Sequence, residues 1–219
     1  MTDAPRSAVV QTLLDRHGTS FSQELGIPLG QNTPAPLFQW LCAALLMSAR
    51  ISTDLATAAA AALAEEGWTT PGKMAESRWK DRVRVLNGAG YARYDESTAT
   101  MLGEAAELLL SEYDGDLRRL REAAERDVPA ERRLLKQVKG IGDVGADIFF
   151  REVQIAWDEL FPFADDKALS AAAKLGLPDS AEELADLVDR EAFPRLLAAL
   201  IRADLAGELD SIATAAKDR

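Results

Sequence analysis

Two short stretches carry residue types that could do chemistry. The first is Gly140-Ile141-Gly142, inside "QVKGIGDVGADIFF" at residues 137–150. Two glycines let a chain reverse tightly and let backbone N–H groups approach a partner with no Cβ in the way. An apolar, helix-like run follows the turn. The first N–H groups of a helix lack internal acceptors and lie at the positive end of its dipole. Such an end can hold a phosphate without any side chain. The same two glycines also suit a plain tight turn between helices, with Ile141 packed between them. The second stretch is Asp165-Asp166-Lys167, following Phe161-Pro162-Phe163. Aspartate there is a favoured helix N-cap. Near a reacting centre, the same carboxylate can oppose developing positive charge or orient water. Asp166 lies about 100° further round a helix and is expected to point elsewhere, as a cap or as a partner for Lys167 or an arginine.

The elements that must position these residues all read as helix. Apolar residues recur at i, i+3, i+4 spacing over 37–48, 52–66, 75–86, 96–112, 116–125, 130–138, 143–156, 165–175, 180–189 and 191–205. Turn-forming punctuation such as "GWTTPG" and "NGAGYARY" separates them. Helix starts are signalled by Thr70 before Pro71 and by Asp179-Ser180 before Glu182-Glu183. No stretch alternates with period two, so the fold class is all-α.

Charge is uneven along the chain. The formal net charge is -11, which argues against non-specific nucleic-acid binding by the whole surface. Yet Leu117 to Lys139 holds eight Lys/Arg against four Asp/Glu, just before the glycine turn. That run is either a solvated helix face or a phosphate-facing one. Cys42, the only cysteine, sits in an apolar segment. This excludes an internal disulfide and fits a small core residue in a reducing, cytoplasmic setting. "LFQWLCAALLMSA" at 37–49 is too short to span a bilayer, and neither a signal peptide nor a membrane partner is expected. His17, the only histidine, reads as a surface or capping residue. Trp40, Tyr91 and Tyr94 could stack on a base, although single aromatics in apolar helices more often belong to a core.

With these residues in view, "LLKQVKGIGDVGADIFF" resembles the helix-hairpin-helix of the endonuclease III-like (HhH-GPD) DNA glycosylases. In that family the hairpin leads through an apolar helix to a Val-Asp pair that opens a helix ending Arg-Leu-Gly-Leu. This chain reads Ala164-Asp165-Asp166-Lys167 and later Lys174-Leu175-Gly176-Leu177, which sets Asp165 on the family's catalytic aspartate. "LCAALLMSARISTD" is similar to the family's apolar helix ending Ser-Ala-Gln, with Arg50 where the glutamine stands. "GAGYARY" lies where the family has a Gly-Phe-Tyr loop.

The resemblance spans about residues 31 to 177 and implies a two-lobed helix-hairpin-helix glycosylase fold. One lobe, a six-helix barrel with the hairpin, would cover 31–158. The other would join 1–30 to 159–219 and carry Asp165. The implied activity is excision of a damaged base from double-stranded DNA by a monomer, after the nucleotide is flipped into the cleft. DNA contacts are expected from Lys139, Gly140, Ile141, Gly142, Val144, Gly145 and Arg50. Asp165 would stabilise the oxocarbenium-like state, with Tyr91, Asp166 and Lys167 as base-pocket or secondary residues. The family also holds a monovalent cation at the hairpin carbonyls.

Departures from the family narrow the activity. The Schiff-base lysine of its bifunctional members falls at Val144, and valine cannot form an imine. Lys139 and Lys167 are the nearest alternatives, with phosphate contact or solvation as their other roles. The family's iron–sulfur loop needs four cysteines after the Leu-Gly-Leu helix, and none lie there, so no cluster is expected. Arg50 can serve as a wedge, a phosphate contact or a surface charge. The expected activity is therefore a monofunctional glycosylase that uses water. A non-catalytic DNA-binding relative is the alternative.

Overall fold

Sequence 37–46 is apolar at every position but Gln39, and a helix of that kind must be enclosed by others. That segment is the centre of the molecule. The computed structural model describes residues 3–217; residues 1–2 and 218–219, the ends of the predicted second lobe, lie outside them. The regular structure among the described residues is helical. The helices run α1 (Asp3–His17), α2 (Phe21–Glu24), α3 (Pro34–Met47), α4 (Thr53–Glu65), α5 (Pro71–Glu76), α6 (Trp79–Gly88) and α7 (Asp95–Tyr113). They continue with α8 (Leu117–Ala123), α9 (Val128–Leu135), α10 (Asp143–Val153), α11 (Asp166–Lys174), α12 (Ala181–Ala185), α13 (Phe193–Ala206) and α14 (Leu209–Lys217). None is long and apolar enough to cross a membrane.

α3 packs against α4, α8 and α10, while α7 packs on α5, α6 and α8. On the other side α13 packs with α1, α11 and α14, and α10 touches both α3 and α13. Three buried polar contacts fix α10 in this central place. The Trp40 indole N–H donates to the Phe149 carbonyl at 3.1 Å, fastening α3 to α10. Glu152, 1% exposed, accepts the backbone N–H groups of Phe21 and Ser22 at 2.8 Å each, and so caps α2 from α10. Gln154 exchanges two hydrogen bonds with the backbone of Phe163, at 2.9 and 3.0 Å. That clamp sets the approach to Asp165.

The structure corrects the expected elements in three places. The single helix expected over 75–86 is broken at Ser77, whose ψ of 143° is extended. Arg82 fills the break: its buried guanidinium donates to the carbonyls of Met74, Ser77 and Ala99. α1 and α14 were not expected. Their buried faces are sparse, Val9, Val10 and Leu13 on one and Ile212 and Ala216 on the other, and they pack chiefly on each other and on α13. Both predicted caps are formed, Thr70 accepting from Lys73 N–H at 3.3 Å and Ser180 from Glu183 N–H at 3.3 Å.

Candidate functional site

The turn between α9 and α10 uses its glycines differently. Gly140 has φ +93°, a backbone conformation that disfavours a side chain, and a Cβ there would sit 2.7 Å from Met101 Sδ and 3.3 Å from Leu45. The fold therefore requires Gly140. Gly142 has φ −98°, and a Cβ added there would meet nothing within 4 Å. Neither strain nor packing demands a glycine at 142. Its bareness leaves the start of α10 open, and α10 has no side-chain cap. The first backbone bond returning into the helix is Ala146 N–H to Gly142 C=O, at 3.0 Å. The amides of Asp143 and Val144 thus begin the helix without acceptors. Ile141, 4% exposed, seats the turn and packs on Gly145, where a Cβ would come 3.1 Å from its Cδ1. The Ser48 hydroxyl, bonded to Leu45 C=O at 2.7 Å, also lies 3.3 Å from Gly140 C=O, which sets the turn against the end of α3.

One charge opposes anion binding here. Asp143 is the first residue of α10, but Lys136 lies 2.6 Å away and holds its carboxyl below the usual carboxylate range. The pair is locally neutral.

Val144, Asp147, Ile148 and Arg151 follow one another at helical spacing and form one wall of a cavity of about 300 Å³. The start of α11 forms another, with Asp165, Asp166 and Lys167. Phe21, Met47, Thr53 and Ile201 complete it. A second hollow of about 560 Å³ adjoins the first, sharing Phe21, Met47, Thr53, Val144 and Lys167 with it and reaching His17 and Arg202. Val144, 60% exposed, therefore stands at the junction of the two.

Asp165 is buried at this cavity, 8% exposed. It is the N-cap of α11, its Oδ1 accepting Ala168 N–H at 3.0 Å. Its Oδ2 accepts from Arg151 Nη2 in an ion pair whose side chains are 6% and 7% exposed. The capping and cleft-facing readings of Asp165 thus hold together. Asp166 does not point elsewhere: it is exposed and lines the same cavity, because α11 begins at the cavity mouth. Lys167 lies there too.

The other expected site residues separate. Lys139 is exposed beside the turn and paired with Glu104 at 3.0 Å. Arg50 is exposed, on the loop whose neighbours Ala49 and Ile51 line the second hollow. Tyr91 is a correction. It is fully buried, donating its hydroxyl to Leu46 C=O at 2.9 Å, and it faces neither cavity. Trp40 is likewise core, and burial raises the thiol pKa of Cys42. Tyr94 lies in a separate open hollow with Trp79 and Arg93. His17 meets Glu208 at 3.1 Å.

Sequence reasoning missed Arg151 and the apolar lining from Phe21, Met47 and Ile201. Arg151 did carry a signal, an arginine seven residues after Val144 on a helix otherwise filled with Ile148, Phe149 and Phe150.

No family model matches the chain, and no curated protein matches it. Among solved structures the chain is similar to a trapped endonuclease III–DNA covalent intermediate, an estranged-adenine complex, at 18% identity and a TM-score of 0.47. The likeness covers 74% of this chain and 71% of that one.

Proposed function

We propose that this chain is a helix-hairpin-helix DNA glycosylase that hydrolyses the N-glycosidic bond of a flipped base with water as nucleophile. The carrying observation is the position of Asp165 at a cavity whose adjoining rim is the uncapped start of the hairpin helix. The amides of Asp143 and Val144, with the positive end of α10, take a backbone phosphate. The nucleotide beside that phosphate swings out of the duplex into the cavity. At about 300 Å³ the cavity lies at the small end of ligand pockets, the scale of a single nucleobase.

The C1′–N bond then breaks with its electron pair leaving on the base, and positive charge develops at the sugar. The Asp165 carboxylate, fixed in place by an amide and an arginine, can oppose that charge. Water adds to C1′ and its proton passes to solvent or to the departing base. Val144 supplies no amine, and Lys167, the amine at this cavity, is assigned to a phosphate, so on this reading the abasic product keeps its strand intact. The Val138 carbonyl accepts one backbone hydrogen bond and the Gly140 carbonyl has only the long contact with Ser48, so both keep a lone pair, which fits a monovalent cation stiffening the turn. On this reading the enzyme acts on duplex DNA as a monomer.

A second reading is favoured by the same carboxylate. Both oxygens of Asp165 already have protein partners, as a purely structural cap and ion pair would require, and a non-catalytic DNA-binding protein would keep them. Incubation with duplexes that each carry one damaged base, followed by alkali, separates the two. The expected result is strand breakage only after alkali, with no complex trapped by borohydride. Excision should drop by roughly 10²–10³ in Asp165→Asn and far less in Asp166→Asn. Duplex binding with no excision of any lesion would install the second reading instead.

A further inference from the structure

Arg151 does more than hold Asp165. Its side chain is 6% exposed and lies on the cavity wall. A guanidinium has five N–H donors, and the one with a protein acceptor is on Nη2, bonded to Asp165. The Nε hydrogen is buried with no acceptor and lies out of reach of the cavity, whereas Nη1 has no protein acceptor and is not sealed off. A charged donor left open is unfavourable, so a group seated against Arg151 gains by bringing acceptors to Nη1 and the second Nη2 hydrogen.

The neighbouring surfaces limit what that can be. Phe21, Met47, Ile148 and Ile201 give the cavity apolar lining on which a ring can rest. Asp147 is already paired with Arg132 at 2.7 Å, and Asp166 and Lys167 stand at the exposed mouth. The buried polar hydrogens on this wall without a protein acceptor are those of Arg151.

We propose that Arg151 is the specificity-determining residue of the pocket, reading the carbonyl or ring-nitrogen edge of a neutral base. The substrate class is then deaminated or oxidised bases rather than cationic, N-alkylated ones. The proposal rests on the glycosylase reading above. A guanidinium fork matches adjacent acceptors bidentately, as it does at the O6/N7 edge of guanine. Deamination turns an exocyclic amino donor into a carbonyl acceptor, so a donor-to-donor clash with Arg151 becomes a hydrogen bond. An N-alkylated ring has instead lost a ring-nitrogen acceptor to the alkyl group, and the guanidinium gains less from it. Undamaged guanine and thymine also carry carbonyls; their stable pairing, and so the greater cost of flipping them, keeps them out.

The test is single-turnover excision from matched duplexes carrying hypoxanthine, purine, uracil, 7-methylguanine or 3-methyladenine. Each rate is divided by that base's uncatalysed loss, which removes leaving-group differences. Wild type should remove hypoxanthine about ten- to a hundred-fold faster than purine, which lacks the carbonyl, and should spare the alkylated bases. Arg151→Lys keeps the charge beside Asp165 but not the fork, so the hypoxanthine-to-purine ratio should collapse towards one. A merely structural role would lower both rates and keep the ratio. Should the variant fail to fold, the wild-type ratio decides alone. A wild-type ratio near one, faster removal of alkylated bases, or a ratio unchanged in Arg151→Lys overturns the assignment while leaving the glycosylase reading standing. No excision of any base, with duplex still bound, overturns both.

Discussion

Asp165 answers to two partners at once, and that changes what its removal costs. Asparagine caps a helix about as well as aspartate, so capping alone predicts that Asp165→Asn leaves stability unchanged. The ion pair with Arg151 overturns that expectation. With both side chains more than nine-tenths buried, losing the anion strands a guanidinium in the interior. Breaking a buried pair from one side costs about 3–5 kcal/mol; an asparagine that keeps one hydrogen bond should bring this to about 2–3 kcal/mol. For a chain of this size that is a fall of roughly 4–12 °C in the unfolding midpoint. Adding Arg151→Met to Asp165→Asn should recover much of the loss, because the stranded charge is gone. Thermal unfolding of the three proteins decides it, and an Asp165→Asn midpoint within a degree of wild type would mean that the pair does not form in solution. The cap was legible in sequence because capping is local. Arg151 was not, since its partner lies 14 positions away and only the packing of α10 against the start of α11 brings them together.

The hairpin separates fold from function within three residues. Gly140 is held at positive φ against Met101 and Leu45, whereas Gly142 faces open space. Gly140→Ala should destabilise by about 1–3 kcal/mol through backbone strain alone. Gly142→Ser should do the reverse. Serine is a better N-cap than glycine by a few tenths of a kcal/mol, so the unfolding midpoint should hold or rise slightly. Its hydroxyl would compete for the Val144 N–H, one of the two amides assigned to the phosphate, and duplex affinity should fall about ten-fold, the worth of one charge-assisted hydrogen bond. Fluorescence anisotropy beside thermal unfolding reads both effects; unchanged affinity in Gly142→Ser would remove the phosphate from this turn. At this scale the sequence was most legible where periodicity was strong, as in α3, α7 and α10. It failed at Ser77, where a distant arginine stabilises a break that local pattern does not encode. It also failed in α1 and α14, whose small buried stripes gain their partners from each other and from α13.

Across the whole molecule, charge bears on the proposed binding of DNA. The basic stretch ahead of the hairpin reads as a phosphate-facing surface when counted along the sequence. In three dimensions most of it is answered by acids from near and distant elements. Arg118 pairs with Asp116, Arg119 with Asp114, Arg121 with Glu159, Arg132 with Asp147, Lys136 with Asp143 and Lys139 with Glu104. A charge count along one segment cannot foresee this, because the neutralising groups arrive with the fold. Arg126 and Arg133 are left without an ionic partner among the described residues, as are Arg50 and Lys167 at the cleft. Few cations of this stretch and the cavity rim are thus free to displace counterions, and backbone amides, which carry no full charge, displace none. With Arg50, Lys167 and one of the others at the phosphates, the logarithm of duplex affinity should fall with the logarithm of salt at a slope of about −2 to −3. A chain with all eight cations of the stretch on DNA would instead approach about −7. Arg50→Ala should make the slope shallower by about one and weaken binding to all duplex sequences alike. Titrations between low and physiological salt measure both. A wild-type slope beyond about −6 would mean that the ion pairs of α8 and α9 open and exchange their acids for phosphates, which would make that face part of the DNA-binding surface after all.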